Sequence, residues 1–219
     1  MNDFIIDFET LGNKPDTIVV DMSVIVFNPD PNIVQSFDEL VASGKRYKFD
    51  VKSQRGKRSY NPSTLKWWKE KSEEARKNLV PSEIDMTTDD AIKDVIKFLK
   101  DGGVDYKKSY GWCRGQGFDF PIFNDLIRRT FNTVETDKYE PVAFWNQRDI
   151  RTAIEAYSMT RGMCVSPLRK GVLDGFVKHD SIHDCAKDII MLKAAQRYSM
   201  GLEDIPNKED IDPETLRYR

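Results

Sequence analysis

Apolar and polar residues alternate at the start of the chain. In NDFIIDFETLG the residues Phe4, Ile6 and Phe8 fall on one side of an extended strand, and Ile5, Asp7 and Glu9 on the other. A second run from Thr17 to Phe27, TIVVDMSVIVF, is dense in Val and Ile and reads as a buried strand, so the two predict a hairpin across Gly12 to Asp16. Asn28 to Pro31 is a turn sequence, and a third strand is expected within Lys45 to Val51, before the polar loop SQRGKR. From Ser63 the period lengthens to that of a helix: STLKWWKEKS, with Ser63 as the expected cap, then SEEARKNL, which Pro81 ends. TTDDAIKDVIKFLKDGG is the clearest helix, with an apolar stripe of Ala91, Ile92, Val95, Ile96 and Leu99, acids in its first turn, and Gly102 and Gly103 at its stop. Beyond it strand and helix alternate: SYGWC, a helix from Pro121 to about Phe131, a strand near VAFW, a helix from about Asp149, and a last helix from Ser181 to Met200.

Three antiparallel strands followed by alternating strands and helices predict an α/β fold. Its central sheet is mixed, antiparallel in its first strands and then parallel, with helices on both faces, which is an RNase H-like layout. The length of 219 residues suits one domain, taken as residues 1–202, while the polar, acidic and Pro-broken stretch 203–219 is expected to be a loosely ordered tail. Thirty-four Lys and Arg against 36 Asp and Glu give a net charge of -2, which excludes a broad basic coat for duplex DNA but not contact with a strand end. Cys113, Cys164 and Cys185 are odd in number and set among apolar neighbours, as in a reducing cytoplasm, and neither a leader nor a membrane span is expected. Nothing in the pattern marks an obligate protein partner.

Charge placement changes the picture most at Asp7 and Glu9. Two carboxylates side by side in an apolar strand repel one another in a low dielectric, and a hard divalent cation between them relieves that cost. The pair therefore reads as half of a metal site. Asp119, in GWCRGQGFDFPIF, follows a strand and two glycines and stands just before a helix, where it could join such a site or simply cap the helix ahead of Pro121. In KHDSIHDCAKDIIML, Asp184 borders the apolar face of the last helix without entering it, and His179 lies five residues earlier. Ser181 and Asp184 could instead form a capping box, and His183 with Asp188 repeats the His179–Asp184 spacing one turn later as a second candidate pair.

Asp7-Phe-Glu-Thr, Phe118-Asp119 and His179-x-x-x-x-Asp184, in that order, resemble the three motifs of the DEDD exonuclease superfamily in its histidine branch, DEDDh. Within that branch PSTLKWWKEKSEEARKN, GWCRGQGFDFPIF, FWNQRDIRT and LDGFVKHDSIHDCAKDI resemble a group of bacteriophage exonucleases over almost the whole chain. The resemblance implies a 3′ to 5′ exonuclease releasing 5′-mononucleotides, with DNA favoured over RNA, acting in the host cytoplasm if phage-encoded. It implies two Mg²⁺ or Mn²⁺ ions. Asp7, Glu9 and Asp184 would hold one of them, Asp7 and Asp119 the other, and His179 would be the general base.

Substrate contacts are expected from Phe8, Thr10 and Phe118 beside the motifs, although the strand face of Phe8 argues for the core. Trp67 and Trp68 are further candidates, and so is the run from Lys45 to Arg58, where seven of fourteen residues are basic, with Lys52 and Arg55 foremost. Three other readings stand beside this one. The His179-Asp180 and His183-Asp184 pairs suggest an HD-type phosphohydrolase, which needs further histidines; His179, His183 and Cys185 suggest zinc, which lacks a second cysteine cluster; and the same fold could serve as a non-catalytic binding module.

Overall fold

A five-stranded sheet organises the chain. In the computed structural model, which describes residues 1–77 and 79–216, β1 (Asp3–Thr10) and β2 (Val19–Phe27) form the predicted hairpin, with Asp7 opposite Ser23 and Glu9 opposite Asp21. After α1 (Phe37–Ser43), β3 (Lys45–Lys48) adds antiparallel to β2. The helices α2 (Val51–Gln54), α3 (Pro62–Lys69), α4 (Glu73–Lys77) and α5 (Thr88–Asp101) precede β4 (Gly111–Cys113), which joins the other side of β1 in parallel. The helix α6 (Asp119–Thr130) leads to β5 (Gln147–Asp149), parallel to β4, and α7 (Ile150–Ser158) and α8 (Ser181–Ser199) follow. The resulting order, β3-β2-β1-β4-β5, is antiparallel on one half and parallel on the other, as the pattern predicts.

Alternation in β1 feeds two cores. Phe4, Ile6 and Phe8 pack with Ile92, Val95 and Leu99 of α5 and Phe123 of α6, while Ile5 packs with Ile25, Leu40 of α1, Ile154 of α7 and Cys185 and Ile189 of α8. Asp7 and Glu9 share the face of Ile5, so they emerge at the end of the central strand on the side covered by α8. At the strand's opposite end the buried Asp3 accepts hydrogen bonds from Tyr110 N and Trp112 Nε1, both at 2.9 Å, which ties β4 to β1.

The structure corrects several local expectations. Asn61, not Ser63, caps α3, its side chain accepting from Ser63 N at 2.9 Å. The expected helix SEEARKNL shortens to α4, and Asn78 lies outside the described residues. VAFW is not a strand: Val142 and Ala143 are buried, Phe144–Asn146 form a 3₁₀ turn, and pairing with β4 begins at Gln147. β5 is a three-residue edge strand of polar side chains held by its main chain, so it carries no apolar signature. The tail is pinned, because Lys170 N donates to Asp210 O, Asp212 N to Leu168 O, and Leu168 N to the buried Thr215 Oγ1; residues 217–219 of that expectation lie outside the described ones. Among the described residues no helix is long and apolar enough to cross a membrane.

Candidate active site

Carboxylates from three separated segments converge at the end of β1. Asp7 has Glu9, Asp119 and Asp184 as its electrostatic neighbours, and burial first, then these acids, hold its carboxyl well above the ordinary range. Glu9 is raised for the same reasons, with Asp184 and Asp21 its strongest acidic neighbours. Asp119 opens α6 and is buried; its Oδ1 accepts the Phe8 N–H at 3.1 Å, so it ties α6 to β1. Phe118 occupies the N-cap position that was an alternative role for Asp119. Burial pushes Asp119 up to about 8, against the lowering effects of that N–H and of Arg151. Asp184 is pushed up to about 6 by burial, opposed by Lys187 3.4 Å away.

His179 completes the group. Its backbone is left-handed, with φ of 63°, a conformation that costs a non-glycine residue about 1 kcal/mol or more. The backbone N–H donates to Asp184 Oδ2 at 3.0 Å, and the imidazole meets the Trp67 ring edge to face at 4.9 Å. Burial first, then Lys71, Lys178 and Lys187, push its pKa down to about 4, so the ring is neutral near pH 7. Glu9, His179 and Asp184 each offer a ligand atom within 4.8 Å of the others. Four desolvated carboxylates outweigh the Lys187 and Arg151 cations beside them, and an oxygen-rich donor set of this kind fits a hard divalent cation.

The alternatives one turn along α8 have structural employment. Asp180, rather than Ser181, caps the helix and pairs with Arg46 of β3. Ser181 instead bonds Ser23 Oγ at 2.6 Å and Asp21, so no Ser181–Asp184 capping box forms. His183 Nδ1 accepts from Val177 N at 3.0 Å, with its ring against Phe37 and Phe176. Asp188 is buried in a two-pronged pair with Arg114, at 2.8 and 2.9 Å from its Nε. With Asp180 and His183 so engaged, the HD-type arrangement is absent among the described residues, and Cys185 is buried facing Ser23 O, away from any zinc set.

The expected substrate contacts divide. A cleft beside the acids is lined by Glu9, Thr10, Asn13, Thr64, Trp67 and Phe118. Trp67 is 37% exposed, whereas Trp68 is 3% exposed with its Nε1 donating to Thr10 O at 2.9 Å, so only the first offers a ring face. The Phe8 side chain is in the core, near Phe123, and the Thr10 hydroxyl is buried and donates to Gly12 O. The basic run is not one phosphate cradle: Lys45 pairs with Asp94, Arg46 with Asp21 and Asp180, Lys48 with Asp85, and Arg58 is buried against Asp125. Lys52 and Arg55 remain exposed, with Arg55 on a separate groove beside Leu11 and Tyr60. Sequence reasoning missed Asp21, buried opposite Glu9 and raised to about 6 by burial, although an acid in TIVVDMSVIVF carries the same signal as Asp7.

The sequence model of the Rv2179c-like 3′-5′ exoribonuclease domain matches residues 2–195. The chain belongs to this family. The chain is 54% identical over 223 residues to the exodeoxyribonuclease of Enterobacteria phage T4, an alignment covering 99% of this chain and 98% of that one. Solved structures share the fold of this Rv2179c-like protein. The zinc-bound Escherichia coli ExoI–ssDNA complex superposes with a TM-score of 0.53 at 13% identity over 92% of this chain, which spans 42% of that one. The Mg²⁺- and Mn²⁺-bound Pop2p of S. pombe gives a TM-score of 0.50 at 11% identity, covering 95% of this chain and 87% of that one. The fold is thus that of RNase H-like exonucleases, and the Rv2179c-like site carries an acidic group able to hold a metal.

Proposed function

We propose that this protein is a 3′ to 5′ exonuclease that hydrolyses the terminal phosphodiester of DNA at the Asp7, Glu9, Asp119, His179 and Asp184 group. What supports the reading is the convergence of four desolvated carboxylates and a neutral imidazole at the end of the central strand. Asp7, Glu9 and Asp184 would hold one divalent cation, Mg²⁺ or Mn²⁺, and Asp7 with Asp119 a second, and bound ions would supply positive charge for the phosphate and lower the pKa of the attacking water. His179, neutral near pH 7, takes one proton from that water as its oxygen bonds to phosphorus in line with O3′ of the preceding nucleotide. The P–O3′ bond breaks, O3′ gains a proton, and the products are a 5′-mononucleotide and a strand shortened by one. The Trp67 and Phe118 cleft beside Glu9 is suited to the departing nucleotide, with the exposed ring of Trp67 against its base.

DNA as the substrate is supported by the extent of identity with the phage exodeoxyribonuclease. RNA is the second reading, favoured by the name of the family. Oligonucleotides of one sequence, as DNA and as RNA, digested with Mg²⁺ or Mn²⁺, decide between them. We expect DNA to be degraded at least about tenfold faster; a comparable preference for RNA contradicts the DNA assignment.

A further inference from the structure

In-line displacement gives the site an entering and a leaving side, and the sheet order separates the residues on each. His179 precedes the start of α8, which is fastened to β2 by Ser181 with Ser23 and to β3 by Asp180 with Arg46. Asp119 and Arg151 stand across β1 from it, following β4 and β5 respectively. With the base on the first side, the attacked phosphorus expels O3′ toward the second. The strand that remains after each turnover therefore lies on the Asp119 side.

Arg114, Arg148 and Arg151 follow β4 or lie in β5 and the start of α7. Arg114 is taken up by Asp188 and the Cys164 carbonyl, and Arg148 stacks 4.2 Å over the Tyr110 ring and bonds two main-chain carbonyls. Arg151, in the first turn of α7, is exposed. Its Nη1 donates to Arg114 O at 2.9 Å and stands 3.2 Å from where a Cβ at Gly115 would lie, a point 4.0 Å from Asp119 Oδ2. Gly115 has φ of 127°, and a side chain there would be strained and would press on Arg151 Nη1. The guanidinium is thus anchored through Nη1 over the turn beside Asp119, within the electrostatic reach of the Asp119 and Asp149 carboxylates, and the side chain is exposed to solvent.

We propose that Arg151 binds the penultimate phosphodiester, the first phosphate that stays with the shortened strand. The assignment rests on the exonuclease reading above. The nucleotide whose O3′ departs occupies the Asp119 side, its own 5′-phosphate is the next anion along the chain, and the planar fork of a guanidinium matches a phosphate edge. Arg151 thus holds the strand in register between turnovers.

The test compares wild type, Arg151→Ala and Arg151→Lys on an oligodeoxynucleotide, on the same strand with a neutral methylphosphonate at the penultimate linkage, and on the p-nitrophenyl ester of thymidine 5′-monophosphate, which lacks a second phosphate. On the natural strand kcat/KM of Arg151→Ala should fall about 10- to 100-fold, with Arg151→Lys in between. On the methylphosphonate strand and the ester the ratio of wild type to Arg151→Ala should shrink to under about threefold. An undiminished ratio on those two substrates, or no loss on the natural strand, overturns the role of Arg151. A wild type inactive on the natural strand overturns the exonuclease reading instead, so the two failures are distinct.

Discussion

Asp7 and Glu9 occupy consecutive positions on one face of β1, yet their surroundings give them unequal work. Asp7 is raised by Glu9, Asp119 and Asp184, while Glu9, among its acidic neighbours, is raised most by Asp184 and Asp21. Asp7→Asn should therefore lower kcat more than about 100-fold, with Glu9→Gln leaving more residual activity, in single-turnover digestion of a labelled strand; equal losses would contradict the proposed larger role of Asp7. His179→Ala should slow the chemical step about 100-fold or more while Mn²⁺ binding, followed by calorimetry, is largely kept. Matching loss of metal affinity would make His179 a ligand. Trp67, packed on the imidazole, is predicted to matter through His179 orientation, so that Trp67→Phe retains more kcat than Trp67→Ala. Asp7 and Glu9 were legible from the sequence because acids in an apolar strand are costly and need a cause, whereas Asp119, His179 and Asp184 had capping or loop alternatives and stood out through the resemblance to the DEDDh motifs. Arg151 was not legible, because an exposed arginine in a helical first turn carries no cost of that kind.

The start of α8 shows how an element is placed by partners far away in sequence. Asp180 and Ser181 are both good caps, and SIHD reads as a capping box. The choice falls to Asp180 because β2 and β3 offer Ser23, Asp21 and Arg46 to the pair. That choice frees Asp184 to receive the His179 N–H. Ser181→Ala removes hydrogen bonds to two buried groups and should destabilise the protein by about 1–3 kcal/mol in urea unfolding, with activity falling as the α8 start loosens. An unchanged midpoint would show that the buried network does not hold this helix. The same dependence on distant partners explains the strand misplaced at VAFW, since β5 is defined by its ladder with β4 and its side chains are polar.

The molecule as a whole concentrates its uncompensated acid at one end of the sheet, and this sets how stability responds to pH and metal. Asp119, at about 8, and the buried Asp7 and Glu9 hold protons in the folded state that the unfolded chain gives up near its ordinary carboxylate values. The folded state then binds more protons than the unfolded one, so stability of the metal-free protein falls as pH rises toward about 8. His179 and His183, both lowered from 6.5, act in the opposite sense below that value, which makes pH 6.5 to about 8 the clean window. Melting with EDTA should show a declining Tm across that window, and Mn²⁺ should raise Tm more at its upper end; a rising metal-free Tm would contradict the clustered carboxylates. The most direct measurement remains polarity of digestion. One oligodeoxynucleotide, labelled at its 3′ end or at its 5′ end, is incubated with Mg²⁺ or Mn²⁺ and with EDTA. The account predicts metal-dependent release of the 3′ label as a 5′-mononucleotide from the first time points, while the 5′-labelled strand shortens stepwise. Prior release of the 5′ label, internal cleavage, or equal digestion in EDTA would contradict it.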